Sequence, residues 1–172
     1  ALLPRAPGLF SLPNRRPRGV GHSPQTQSPP DLVGVRNGSP ERLFDAGIAA
    51  LGGMRRFVSK GARVLIKPNV SWNVDPQTGA TTNPGLVARI VEHAIDAGAS
   101  RVYVLDHTID TWHLAYEATG MKSVVKPAGA QLVPGNSESF YQKVQIPGGK
   151  VLREVKVHEA LLEAEVLINV PI

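Results

Sequence analysis

Three short apolar runs, RVLI at 63–66, RVYVL at 101–105 and EVLINV at 165–170, restrict the fold of this chain more than any other feature. RVYVL is apolar without a break, the pattern of a strand buried on both faces of a parallel sheet rather than one half-wet in an antiparallel sheet. Between the first two runs lies the strongest helical pattern in the sequence. It starts at Asn83-Pro84, repeats Leu86, Val87, Ile90, Val91, Ala94 and Ile95 on one face, and sets Arg89, Glu92, His93 and Asp96 on the other. Gly98 ends it. Strand, helix and strand in this order predict a right-handed crossover and a layered α/β fold: a mainly parallel sheet flanked by helices.

The remaining elements extend that frame. LVGVR at 32–36 reads as a short buried strand. Asn37-Gly38-Ser39-Pro40 is a turn with Ser39 as N-cap and Pro40 at the first helical position, and the helix that follows carries Leu43, Phe44, Ile48 and Leu51 on one side before Gly52-Gly53. A shorter helix, DTWHLAYEATG, runs to Gly120, and AQLVP at 130–134 reads as a further strand. KVQIPGGKVLREVKV at 143–157 alternates around Pro147-Gly148-Gly149, which signals one antiparallel hairpin. HEALLEAE is a brief helix before the last apolar run. The chain stops at Ile172 directly after that run, so residues 31–172 are expected to be the N-terminal part of a larger domain.

Charge separates a tail from this domain. Residues 1–30 hold Arg5, Arg15, Arg16 and Arg18 and no acid, which leaves +1 of the net +5 for residues 31–172. A domain so close to neutrality lacks the electrostatic footprint of a nucleic-acid binder. The tail also contains seven of the fifteen prolines and is expected to be disordered or extended, with docking to a protein partner as its candidate role. It begins at Ala1 and has no apolar export core; a processed export remnant and a linker both fit. No apolar run approaches the roughly 18 residues of a membrane span. The absence of cysteine excludes disulfides, thiolate metal sites, iron–sulfur clusters and cysteine nucleophiles from this chain. No dinucleotide fingerprint, phosphate-binding P-loop, nucleophile elbow or HExxH zinc motif is present.

Function-bearing residues gather where the apolar runs stop. In an open parallel sheet ligands bind beyond the carboxyl ends of the strands. Three such ends carry polar residues: Lys67-Pro68-Asn69, Asp106-His107-Thr108 and Asn169-Val170-Pro171. The connection after the first, IKPNVSWNVDPQTGATTNP, is long for an α/β unit, as functional loops often are. Lys67 suits a carboxylate or phosphate, and Thr81, Thr82 and the helix start at Asn83 would add donors. Thr82 or Asn83 also serves as a plain helix cap. Asn69 and Asn169 complete the expected anion-binding set. Trp72 can stack on a planar ligand, whereas Trp112 reads better as a lid on the core. Asp106, His107, Asp110 and His113 form a second constellation, with carboxylate and imidazole ligands suited to a divalent metal; Asp110 as an N-cap and His113 as a surface residue are the plain alternatives. His22, His93 and His158 read as tail, solvent face and hairpin edge.

SPERLFDAGIAALGGMRRFVSKGARVLIKPN, ATTNPGLVARIVEHAIDAGASRVYVLDHT and EALLEAEVLINVPI, in this order, resemble the bacterial and archaeal "domain of unknown function 362" family across residues 31–172. KPN, TTNP and LINVP carry most of the likeness. The resemblance implies the α/β fold and a site at the strand ends, but no reaction. Relatives continue into a lysine- and histidine-containing stretch. Some carry a twin-arginine export signal, which makes an exported or periplasmic location the expectation, cytoplasmic otherwise. Others carry a ferredoxin-like cysteine module that this chain lacks. The expected function is therefore an enzyme-like α/β domain holding an anionic small molecule, with a divalent metal as candidate cofactor. The rival expectation is a non-catalytic scaffold working through its basic Pro-rich tail.

Overall fold

The computed structural model of the chain describes residues 28–172. The expectations placed on the tail, including its partner and His22, concern residues outside the described range, apart from 28–30. Pro40, which needs no N–H donor in the first turn, opens α1 (Pro40–Ala50) from an extended Ser39 whose hydroxyl makes no capping bond. A 3-10 turn at Met54–Arg56 leads to β1 (Arg63–Pro68). Asn83 caps α2 (Pro84–Ala97) by accepting the Leu86 N–H at 3.0 Å, and Gly98 closes it in the left-handed conformation. There follow β2 (Arg101–Val104), α3 (Trp112–Ala118), α4 (Met121–Val125) and β3 (Gln131–Leu132). A ribbon of β4 (Tyr141–Gln145) and β5 (Glu154–His158), α5 (Glu159–Glu163) and β6 (Val166–Val170) complete the described chain.

The four-stranded sheet runs in the order β3-β2-β1-β6, and every pairing is parallel. Val64 faces Val102 on one side and Val166 on the other, and Lys67 faces Asn169. The chain steps from β1 through β2 to β3 in one direction, and β6 lies on the opposite flank of β1. The strand order therefore reverses between β1 and β6, the geometry that opens a crevice at the carboxyl ends. The antiparallel ribbon pairs Tyr141 with His158 and Gln145 with Glu154 and remains separate from the main sheet.

Side chains alternate across the sheet and build two unequal cores. Val64, Ile66, Val102 and Val104 pack with Val87, Ile90, Val91 and Ala94 of α2 and with Met121 and Val125 of α4. On the reverse face, among the described residues, Leu65, Leu105 and Ala160 form a smaller buried cluster, flanked by Tyr103, Val133 and Ala164.

Two elements depart from expectation. Residues 32–36 form no strand; they are irregular and exposed, with Leu32 88% accessible. Gly34 interrupts the run and the short segment pairs with no strand; Val33 is half-buried, and Val35 rests beside Gly47 of α1 rather than in a sheet. The expected helix 110–120 is shorter, and after Gly120, left-handed at φ 70°, the chain turns into α4.

Candidate functional site

The parallel pairings bring the carboxyl ends of β1, β2 and β6 to a single border of the sheet. Asp106 organises it. Its carboxylate is buried, with Oδ1 accepting from Lys67 Nζ at 2.8 Å and Oδ2 accepting the Val70 N–H at 2.7 Å. Its own N–H donates to the Tyr116 hydroxyl at 2.7 Å. Burial pushes the ionisation of that phenol well above its ordinary range, so Tyr116 stays neutral and acts as a fixed dipole. Lys67 is half-exposed where Asp106 is not, and so the ammonium stands at the boundary between the buried carboxylate and solvent.

The long connection between β1 and α2 is held in place by these same strand ends. Thr82 Oγ1 accepts the Asn69 N–H and donates to Val170 O, each at 2.8 Å, and so bridges the tips of β1 and β6. Ser71 O accepts the N–H groups of Ile109 and Asp110, and Asp110 Oδ2 accepts the Asn73 N–H at 2.8 Å. Asp75 caps a 3-10 turn at Pro76–Thr78. The polar residues of this loop thus supply the partners that let an irregular segment lie against a sheet.

On the helix side two of the three expected anion donors have other partners. Thr82 serves both strand tips, and Asn83 serves the α2 cap. Thr81 is buried, and among the described residues its hydroxyl has no hydrogen-bond partner. A Cβ on Gly85 would collide with Glu41 Oε1, so a carboxylate from α1 already rests against the first turn of α2, where the helix dipole favours negative charge. Trp72 is 44% exposed, and Trp112 packs against the large core as a lid.

The reverse face is open. A groove of about 280 Å³ lies between the sheet and the ribbon, lined by Leu65, Lys67, Leu105, Asp106, His107 and Leu167 from the sheet side. Tyr141, Lys156, Val157 and His158 of the ribbon and Leu161 of α5 close its other wall. His107 Nδ1 lies 3.0 Å from the Tyr141 hydroxyl, which donates to Gly135 O at 2.7 Å. That proton assignment makes His107 Nδ1 the donor to the phenol. Burial raises the Tyr141 pKa, helped by the charge of Asp106. Gly135 is required here: a Cβ would come within 2.6 Å of Asp106 O and 3.1 Å of the His107 Cα. Lys156 is paired with Glu138 at 2.7 Å.

The four residues considered as metal ligands face different partners. Asp106 meets Lys67, His107 meets Tyr141, Asp110 meets the Asn73 backbone, and His113 is exposed beside the Trp112 ring. Among the described residues no three of the His, Asp and Glu side chains are grouped as ligands of one ion.

Two histidines hold positions other than those expected. His158 is buried, not an open hairpin edge: Nδ1 accepts the Ala160 N–H at 3.1 Å to cap α5, and Nε2 lies 3.2 Å from Pro134 O. That pattern assigns the proton to Nε2. His93 leaves the solvent face of α2 to reach Asp45 Oδ1 at 2.8 Å, with its ring edge-on to Phe44. Tyr141, Lys156 and His158, and Gly135 in the segment between β3 and β4, escape a reading of strand ends because the ribbon and the chain leading into it are remote in sequence from β1. The one available signal is the alternation at 143–157, which identifies a ribbon but not the face it covers.

A family model described as "Domain of unknown function (DUF362)" matches residues 64–172, from β1 through β6. The chain belongs to this family. The match begins after α1, so the DUF362 portion comprises the sheet, the ribbon and the groove between them. No curated protein and no solved structure matches the chain. Among the described residues of this DUF362 member, no helix is long and apolar enough to cross a membrane.

Proposed function

We propose that the chain is the ligand-binding part of an enzyme-like α/β protein and takes an anionic small molecule in the groove at the carboxyl ends of β1 and β6. The observation that carries this reading is the half-exposed Lys67 ammonium, anchored by the buried Asp106 and lining an open groove. An ammonium has three N–H donors. One is given to Asp106 at 2.8 Å, and a second reaches Pro68 O at only 3.4 Å. Donor capacity is left over for a ligand, and the Asp106 contact fixes where it points, so little side-chain entropy is lost on binding. Asn169, in register with Lys67 and exposed, supplies an amide on the same face.

The test is titration of the 172-residue chain with a panel of carboxylates and phosphates, followed by isothermal calorimetry. Lys67→Met should weaken the best anion by about 10- to 100-fold, the range of a hydrogen bond to a charged group. Because this change strands a buried carboxylate, Lys67→Met/Asp106→Asn is measured beside it. The double variant removes both charges and keeps an oxygen for the Val70 N–H. Unchanged affinity in a folded double variant would end the proposal, and so would a wild-type chain that binds no anion.

A further inference from the structure

The chemistry of the groove walls narrows the ligand class. Lys67 supplies the charge at one end beside Asp106, while Leu65, Leu105, Val157, Leu161 and Leu167 form an aliphatic stretch of wall alongside the rings of His107, Tyr141 and His158. Leu161 and Leu167 are 41% and 51% exposed, although their neighbour Leu65 is buried to 1%. The other cation of the groove, Lys156, is held by Glu138. We infer that the groove binds a small apolar carboxylate, with the carboxylate at Lys67 and an aliphatic body laid along Leu65, Leu161 and Leu167; this rests on the anion reading above.

Charge complementarity separates this class from phosphates. A phosphate dianion needs several donors to replace its water, and here a single ammonium with unspent capacity stands beside the Asp106 carboxylate. A monoanionic carboxylate asks for fewer donors and returns apolar surface to apolar walls. The dimensions also agree. About 280 Å³ holds roughly nine water volumes of about 30 Å³ each, which accommodates an acid of roughly eight carbons.

The experiment is a series of straight-chain carboxylates from acetate to decanoate, with inorganic phosphate alongside, titrated into the full chain by calorimetry and checked by sedimentation. Affinity should rise about three- to fourfold for each methylene, the increment for burying one CH₂, and level off near eight carbons. Leu167→Ser should lower octanoate affinity several-fold, whereas Leu162→Ser, at an exposed leucine of α5 that does not line the groove, should not. Affinity independent of chain length, or phosphate preferred over every carboxylate, overturns this inference and leaves the anion reading standing. No binding of any anion overturns both. A stable dimer that binds no carboxylate overturns the inference too, because the aliphatic wall then serves a second copy.

Discussion

The helix-covered face of the sheet and its ribbon-covered face are built differently. On the helix-covered face, Val64, Ile66 and Val104 are fully buried and Val102 nearly so, beneath an α2 whose apolar stripe is continuous. On the ribbon-covered face, the same strands place Leu65 at 1% but Leu167 at 51% exposure, with Lys67 and Asp106 beyond them. One backbone thus carries a packed wall and an open one. Folding free energy comes mainly from the first, since buried apolar area is what stabilises. The second is left incompletely filled, and its polar groups are partnered by loops rather than by layers. Binding chemistry needs that incompleteness, because a fully packed face has no room for a ligand.

The sharpest way to break this contrast is a matched pair of truncations. Ile66→Ala on the packed face should cost about 2–5 kcal/mol in urea unfolding, the range for deleting a large aliphatic side chain from a core that cannot collapse onto the gap. Leu167→Ser on the open face should stay within about 0.5 kcal/mol, as exposed substitutions do. Comparable costs at the two sites would mean that the ribbon side is as tightly built as the helix side.

Thr82 tests the seam between the faces. Its hydroxyl ties the Asn69 N–H to Val170 O, so it joins the tip of a central strand to an edge strand across the reversal of strand order. Thr82→Val keeps the shape and removes both bonds. Two backbone groups near the sheet border lose partners, at about 1–3 kcal/mol for each one that water does not reach, so a total of about 2–6 kcal/mol is expected in the same assay. A loss below 1 kcal/mol would show that solvent replaces the hydroxyl and that the seam is looser than the bond lengths imply.

How far the sequence discloses each face follows from the same asymmetry. The packed face is legible because its signals are local: a 3.6-residue stripe in 84–97, unbroken apolar strands, and Asn83-Pro84 and Gly98 as caps. The strand-end residues Lys67, Asp106 and Asn169 are legible by position, since a parallel sheet sends all its carboxyl ends to one border. The opposite wall of the groove is not. Tyr141, Lys156 and His158 reach it through a ribbon whose docking depends on tertiary packing, including the close approach of Gly135 to Asp106, and no periodicity encodes that. The segment 32–36 shows the converse. It has strand-like residues, yet strand propensity measures fit to a pleated, half-buried surface, and no such surface receives it.

The smallest expected effect lies where α1 meets α2, at the outer rim of the packed face. Asp45 accepts from Arg89 Nε at 2.7 Å and Nη2 at 3.2 Å, and from His93 Nε2 at 2.8 Å. The Arg89 hydrogen bonds, followed by that from His93, hold the Asp45 carboxyl below the ordinary aspartate value of 3.8. A depressed carboxyl stabilises the folded state above its unfolded pKa, and that contribution is lost as pH falls through the lower folded value. The window therefore lies at and below pH 3.8. The groups are exposed at the surface, so the increment is small and salt weakens it. Asp45→Asn should lower Tm slightly and by a constant amount at neutral pH, with the gap to the unmodified chain closing as pH drops below 3.8. Because α1 precedes the residues matched to the family, the same curve asks whether α1 strengthens the packed face. A Tm profile for Asp45→Asn that coincides with the unmodified chain from pH 7 to pH 2 would show that α1 is held by apolar contacts such as those of Ile48 and Phe44, with no electrostatic share.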